Sequence, residues 1–254
     1  MFFVTLAFLA LVALVPIIAL TLISVGAPNT AETFATVTAP LSALAAGLLG
    51  LLAFAKEDFG LEDRFNSMNL LLALGLVVLT LAEIGTAVIS SMPSGKDFYF
   101  TISLLVIPGI LLWGIGVTRY LVVCWRTING ENPKEVLLAV ALIAGSITAL
   151  TQILGAFIAP DRSLIDVTVC IPVGFGILMI AGILTVLLWI FRRGMLALPI
   201  GFSLMAAILF CVQYYSWCVL RIDPTSMISR LIAIEIYILM GASVSIAGRL
   251  DAAT

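Results

Sequence analysis

Eight uninterrupted apolar runs, each long enough to cross a hydrocarbon layer, leave this chain few folds to adopt. They lie near residues 2–25, 33–55, 69–91, 98–124, 136–159, 165–191, 196–220 and 227–248, with short polar breaks between them. A helix rises about 1.5 Å per residue, so about 20 residues cross a hydrocarbon core of about 30 Å. Strands of a membrane barrel would alternate apolar and polar residues over about ten positions. These runs are continuously apolar, which predicts helices. Only 10% of the residues are charged, against about 25% in a soluble domain, too few to solvate a surface of this size. The expectation is an all-α integral membrane protein. Residues 1–254 form a single transmembrane bundle of about eight helices arranged as repeated hairpins.

The first run has no basic residues ahead of it and reaches from Phe2 to about Val25. That exceeds the roughly 7–15 apolar residues of a signal-peptide core, so it is read as a retained first span. The connections then set orientation. One side collects Lys56, Arg64, Arg119, Arg126, Lys134, Arg192, Arg193 and Arg249, and the other only Lys96, Arg162, Arg221 and Arg230. The positive-inside rule puts the richer side, with both termini, in the cytoplasm. The expected location is therefore the plasma membrane, crossed many times. Trp125 and Trp189 stand beside Arg126 and Arg192, where interfacial anchors belong.

Three hairpins read alike: TLAEIGTAVISSMPSGKDFYF, ALTQILGAFIAPDRSLIDVTV and LFCVQYYSWCVLRIDPTSMIS. Glu83, Gln152 and Gln213 hold equivalent places, 69 and 61 residues apart, and Asp97, Asp166 and Met227 each follow fourteen residues later. Pro40, Pro108 and Pro172 recur at intervals of 68 and 64 in the returning helices, where they are expected to kink them. The period suggests one hairpin per unit, about four units, all with the same sense.

Glu83 and Glu235 are the carboxylates well inside the spans. Each lies roughly 12 Å below the outer end of its helix, and Gln152 and Gln213 fall near the same depth. Placing a charge at the centre of a span costs on the order of 3 kcal/mol, so such groups face a bundle interior or a wet cavity. The functional expectation is an outward-opening pocket for a ligand, cation or proton. It would be lined by Glu83, Gln152, Gln213, Tyr214 and Glu235, with Tyr215 and Trp217 nearby. The plainer alternative is interhelical hydrogen bonding, which the glutamines suit best. Asp97 and Asp166 complement the positive ends of the helices they open. Arg119 can snorkel toward the cytoplasmic boundary, and Arg230 is expected at the outer surface, paired with Asp223 or a nearby carboxylate.

The absences are also informative. The chain has no histidine, which removes imidazole bases, histidine-ligated haem and most zinc sites. Lys56, Lys96 and Lys134 all fall in connections, so no span offers a Schiff-base lysine for retinal. No phosphate loop or metal motif occurs. No catalytic residue, cofactor site or metal site is expected, and the scattered cations give no nucleic-acid footprint. Cys124, Cys170, Cys211 and Cys218 form no C-x-x-C pair and are expected to act as small hydrophobes. Gly241 lacks a G-x-x-x-G partner but is consistent with close helix packing.

The pieces LAEIGTAV with DFYFTISLLVIPGILLWGIG, and LTQILGAF with LIDVTVCIPVGFGILMIAG, resemble the membrane-embedded sensor regions of prokaryotic histidine kinases and diguanylate cyclases. The resemblance covers roughly residues 70–245. It implies a stimulus-sensing bundle in the plasma membrane of a prokaryote, with both termini inside. Members of that group continue into a coiled coil and an output domain, whereas the sequence here ends at Thr254, so output would pass in trans to a cytoplasmic or membrane signalling partner. The leading expectation is thus a sensory or accessory module. A small-solute or proton-coupled transporter using the intramembrane carboxylates is the alternative, and a lipid-modifying enzyme stands third.

Overall fold

Each apolar run becomes one helix. The computed structural model describes residues 2–55, 64–90, 99–158, 164–220, 222–223 and 225–250. Its helices are α1 Phe2–Ser24, α2 Pro28–Ala55, α3 Arg64–Ser90, α4 Tyr99–Asn129, α5 Lys134–Ile158, α6 Leu164–Phe191, α7 Ala197–Cys218 and α8 Met227–Leu250. All eight are long and apolar enough to cross a membrane, and no strand occurs among the described residues. Asp97, Lys96 and Lys56 lie outside those residues.

The helix ends differ from the apolar runs for local reasons. Gly26 takes a left-handed conformation, φ 80°. Its N–H donates to the Ile23 carbonyl and that of Ala27 to Leu22, the Schellman closure that glycine permits. Pro28 then opens α2 at the position where its missing N–H costs nothing. As a result α2 begins five residues before its apolar run and carries polar Asn29, Glu32 and Thr33 in its first turns.

Helices α2, α3, α4, α6, α7 and α8 pack neighbour to neighbour in a closed ring, and α8 also reaches across to α3. Helix α1 lies outside against α2 and α8, and α5 lies outside against α6 and α7. Between transmembrane helices, close approach depends on small residues, because lipid offers apolar side chains as good a home as a neighbour does. The α2–α8 contact shows this rule. Ala31, Ala35, Ala39, Ala43 and Gly47 recur every fourth residue on the buried face of α2. A Cβ on Gly241 would come 2.8 Å from Ala46 Cβ, and one on Gly248 would come 2.6 Å from Ala53 Cβ. Both partners step by seven, so the two helices run parallel with a two-turn repeat.

Toward its middle the ring is filled by Leu72, Leu76, Leu79, Trp113, Ile177 and Ile180, all almost fully buried. The Trp113 Nε1–H donates to the Leu72 carbonyl at 3.0 Å, which satisfies its polar atom in an otherwise dry core. Two of the four cysteines depart from the expected role. Cys170 of α6 and Cys218 of α7 are joined as a disulfide, while Cys124 and Cys211 are free. Cys170 and Cys218 lie 48 residues apart, and only the α6–α7 packing brings them together.

Candidate functional site

Four polar residues of α3 fall on one stripe, Asn66, Asn69, Thr80 and Glu83, at the three- and four-residue steps that share a helix face. Glu83 lies near the end of α3 that joins α4. Facing it on α8, Arg230 and Tyr237 are seven residues, or two turns, apart and so share a face too.

These groups form one cluster. The Tyr237 hydroxyl donates to Glu83 Oε1 at 2.6 Å, the short distance expected for a bond to a carboxylate. Arg230, only 3% exposed, donates from Nη1 to Thr36 Oγ1 on α2. The Thr36 hydroxyl in turn donates to the Glu32 carbonyl at 2.7 Å. The Arg230 charge interacts electrostatically with Glu83, Glu32 and Asp223, as a buried cation requires. Its Nε is buried without a hydrogen-bond partner. From α7, Gln213 Nε2 donates to the Ser229 carbonyl at 3.1 Å. The turn before α8 is held by Asp223 Oδ1, which accepts from the Thr225 N–H at 2.8 Å and from its hydroxyl at 2.7 Å.

Around this cluster lies a cavity of about 60 Å³ lined by Glu83, Thr86, Gln213, Trp217, Arg230 and Tyr237, among others. A space of that volume takes a few water molecules or a small polar guest, since one water needs roughly 10–15 Å³ on the same measure. It offers a carboxylate, a guanidinium, an amide and a phenol within one small volume. Such a site can hold an ion or a compact molecule with both donor and acceptor groups.

Of the residues expected to line a pocket, Glu83, Gln213, Tyr214 and Trp217 do so. Gln152 stands one residue away, its Nε2 donating to the Tyr214 hydroxyl at 3.0 Å and so linking α5 to α7. Tyr215 is exposed on the outer surface of the bundle. Glu235 does not join. At about 100° per residue it is turned roughly 140° from Arg230 and 160° from Tyr237 on α8, and both its carboxylate oxygens are buried without partners. Equal depth therefore did not mean a shared pocket.

Arg230 is the opposite correction. It keeps its electrostatic interaction with Asp223 but is buried rather than at the surface, because α2 packs Thr36 against it. The Arg230–Tyr237 spacing of seven was the available signal, beside the presence of an arginine within the eighth apolar run. Asn66 and Asn69, at the other end of α3, are also buried with unpartnered amide atoms.

Comparison with protein-family models, with curated proteins and with solved structures gives no match. The fold and the site thus define the class: a multi-pass helical membrane protein with a buried ionic cluster confined to one half of its bundle.

Proposed function

We propose that this protein is a membrane-embedded sensory or accessory module that acts through a partner protein in trans. The stimulus would be a small polar ligand or ion received at the Glu83–Arg230–Tyr237 cavity. The observation that carries this reading is the layer of apolar packing that underlies the cavity. There Phe210 meets Trp113 edge-on at 6.1 Å between ring centres. The packed Leu72, Leu76, Ile177 and Ile180 continue below. A solute path needs polar lining across the membrane, and the layer just beneath the cavity is apolar, the buried Ser203–Ser243 pair and Asn66 and Asn69 lying beyond it. A binding site underlain by apolar packing suits reception better than transport.

The cluster is placed to convert occupancy into helix movement. Arg230 ties α8 to α2, Tyr237 ties it to α3, and Gln213 ties α7 to the first turn of α8. A guest that bonds to Glu83 or Arg230 competes with those ties. It would thereby favour one packing of α8 over another, which is all that a population shift requires. Helix α8 carries the change to the far end of the bundle, where a partner would read it.

Two features support the cavity opening away from the cytoplasm of a prokaryotic cell. With Arg230 buried in the bundle, the sparser side keeps only Lys96, Arg162 and Arg221, which sharpens the charge asymmetry. The Cys170–Cys218 disulfide lies toward the same end as the cavity, and disulfides persist in oxidising compartments.

Photo-crosslinkers placed in the 126–135 connection, in native membranes, should capture one partner at near-equal amount. Arg230→Met and Glu83→Gln should change that yield without lowering the amount of protein in the membrane. Proton or cation flux by the purified protein in vesicles, abolished by Glu83→Gln, would instead establish the transporter and end this reading.

A further inference from the structure

The geometry points to a binding site for one anionic phospholipid of the bilayer in the cleft between α4 and α6, with its headgroup on Arg119. Helix α5 packs on α6 and α7 but makes no packing contact with α4. The surface between α4 and α5 is therefore left open, and α6 forms its floor. There the structure has a cleft of about 510 Å³, lined by Ile107, Leu111, Gly114, Pro172, Phe175 and Met179 with their neighbours. That volume lies within the roughly 300–1,000 Å³ of small-molecule sites.

Its shape and chemistry select the occupant. From Ile107 to Arg119 the wall runs twelve residues along α4, or about 18 Å, the reach of an acyl chain through about one leaflet. Every lining residue is apolar or small except Thr118 and Arg119, and Arg119 is the charged one, set at the end nearer the α4–α5 connection. Arg119 is exposed, and no hydrogen bond or ion pair engages it among the described residues. A guanidinium at this depth needs an anion or a route to the headgroups. An acidic headgroup supplies the first, and its phosphate matches the fork of N–H donors on arginine. Trp125 and Arg126 mark the interfacial level about 10 Å further along α4, a gap that the long arginine side chain and the headgroup together span. Because the cleft lies within the spans and opens sideways, its occupant enters from the bilayer rather than from water.

The site is independent of the Glu83 cavity. Val173 lines both, and no charged residue is shared.

The test is native mass spectrometry of the full chain, delipidated in mild detergent. It is titrated with phosphatidylglycerol or with phosphatidylcholine of the same acyl chains. One phosphatidylglycerol should bind, about tenfold or more tighter than phosphatidylcholine, as loss of one charge-assisted contact implies. Arg119→Gln should erase that preference, whereas Arg119→Lys should keep part of it. At Gly114 an added Cβ would meet nothing nearer than Ile180 Cγ1 at 3.9 Å, so Gly114→Leu fills the cleft without displacing backbone. It should abolish binding of both lipids while helical content by circular dichroism stays unchanged. Equal binding of the two lipids by the unaltered protein, or full binding by a folded Gly114→Leu protein, would overturn the site.

Discussion

Helix α1 and helix α8 invert the usual relation between hydrophobicity and burial. The α1 span is the most apolar of the eight, yet only 11% of it is buried inside the bundle; the α8 span is far less apolar and 78% buried. In water the order would be reversed, because apolar surface would be driven inward. In a bilayer the large aliphatic residues of α1 lose nothing by facing lipid: Leu6, Leu9, Leu14 and Leu20 are all exposed. What α8 has instead is residues that gain from neighbours. Gly241 and Gly248 let α2 approach, Ser243 donates to the Pro199 carbonyl at 2.8 Å, and Arg230 and Tyr237 find hydrogen-bond partners. Close packing and polar satisfaction, rather than apolar content, set the centre of this bundle.

The largest effect should come from enlarging the small residues of α8. Gly241→Leu and Gly248→Leu each push a side chain into Ala46 or Ala53 of α2. Unfolding in mild detergent should show a loss of about 1–3 kcal/mol for each. A smaller loss, about 0.6 kcal/mol and at most about 1.7, is expected from Tyr237→Phe, which removes the donor to Glu83. In a double-mutant cycle the loss should vanish on a Glu83→Ala background. If it persists, the phenol stabilises α8 by packing alone. Least of all, Leu14→Ala on α1 should change stability by less than about 0.5 kcal/mol, the range of surface substitutions. A loss at Leu14 as large as at Gly241 would mean that α1 is held as α8 is, and the contrast would collapse.

The two intramembrane glutamates carry the same lesson about what could be read in advance. Both lie inside apolar runs, and depth along each helix follows from residue count, so both were legible as unusual. Whether they share a cavity depends on the rotation of each helix about its axis, which side-chain packing decides. The cavity received Arg230 in place of Glu235 because the Arg230–Tyr237 face of α8 turns toward α2 and α3, where Thr36 and Glu83 wait. The alanine ladder of α2 was also in the sequence. Its spacing of four is a packing signal, but in so apolar a chain it is easily lost among larger side chains.

By itself the sequence determined the number of helices, their approximate ends and their membrane setting, because each follows from local length, apolarity and punctuation by glycine, proline and charge. The tertiary structure alone decided that α8 is central and α1 peripheral, that Cys170 meets Cys218, and that Glu83 rather than Glu235 joins Arg230. These outcomes depend on which helix faces meet. In lipid that choice is made by fit and hydrogen bonding between distant segments, terms that no single stretch of sequence contains.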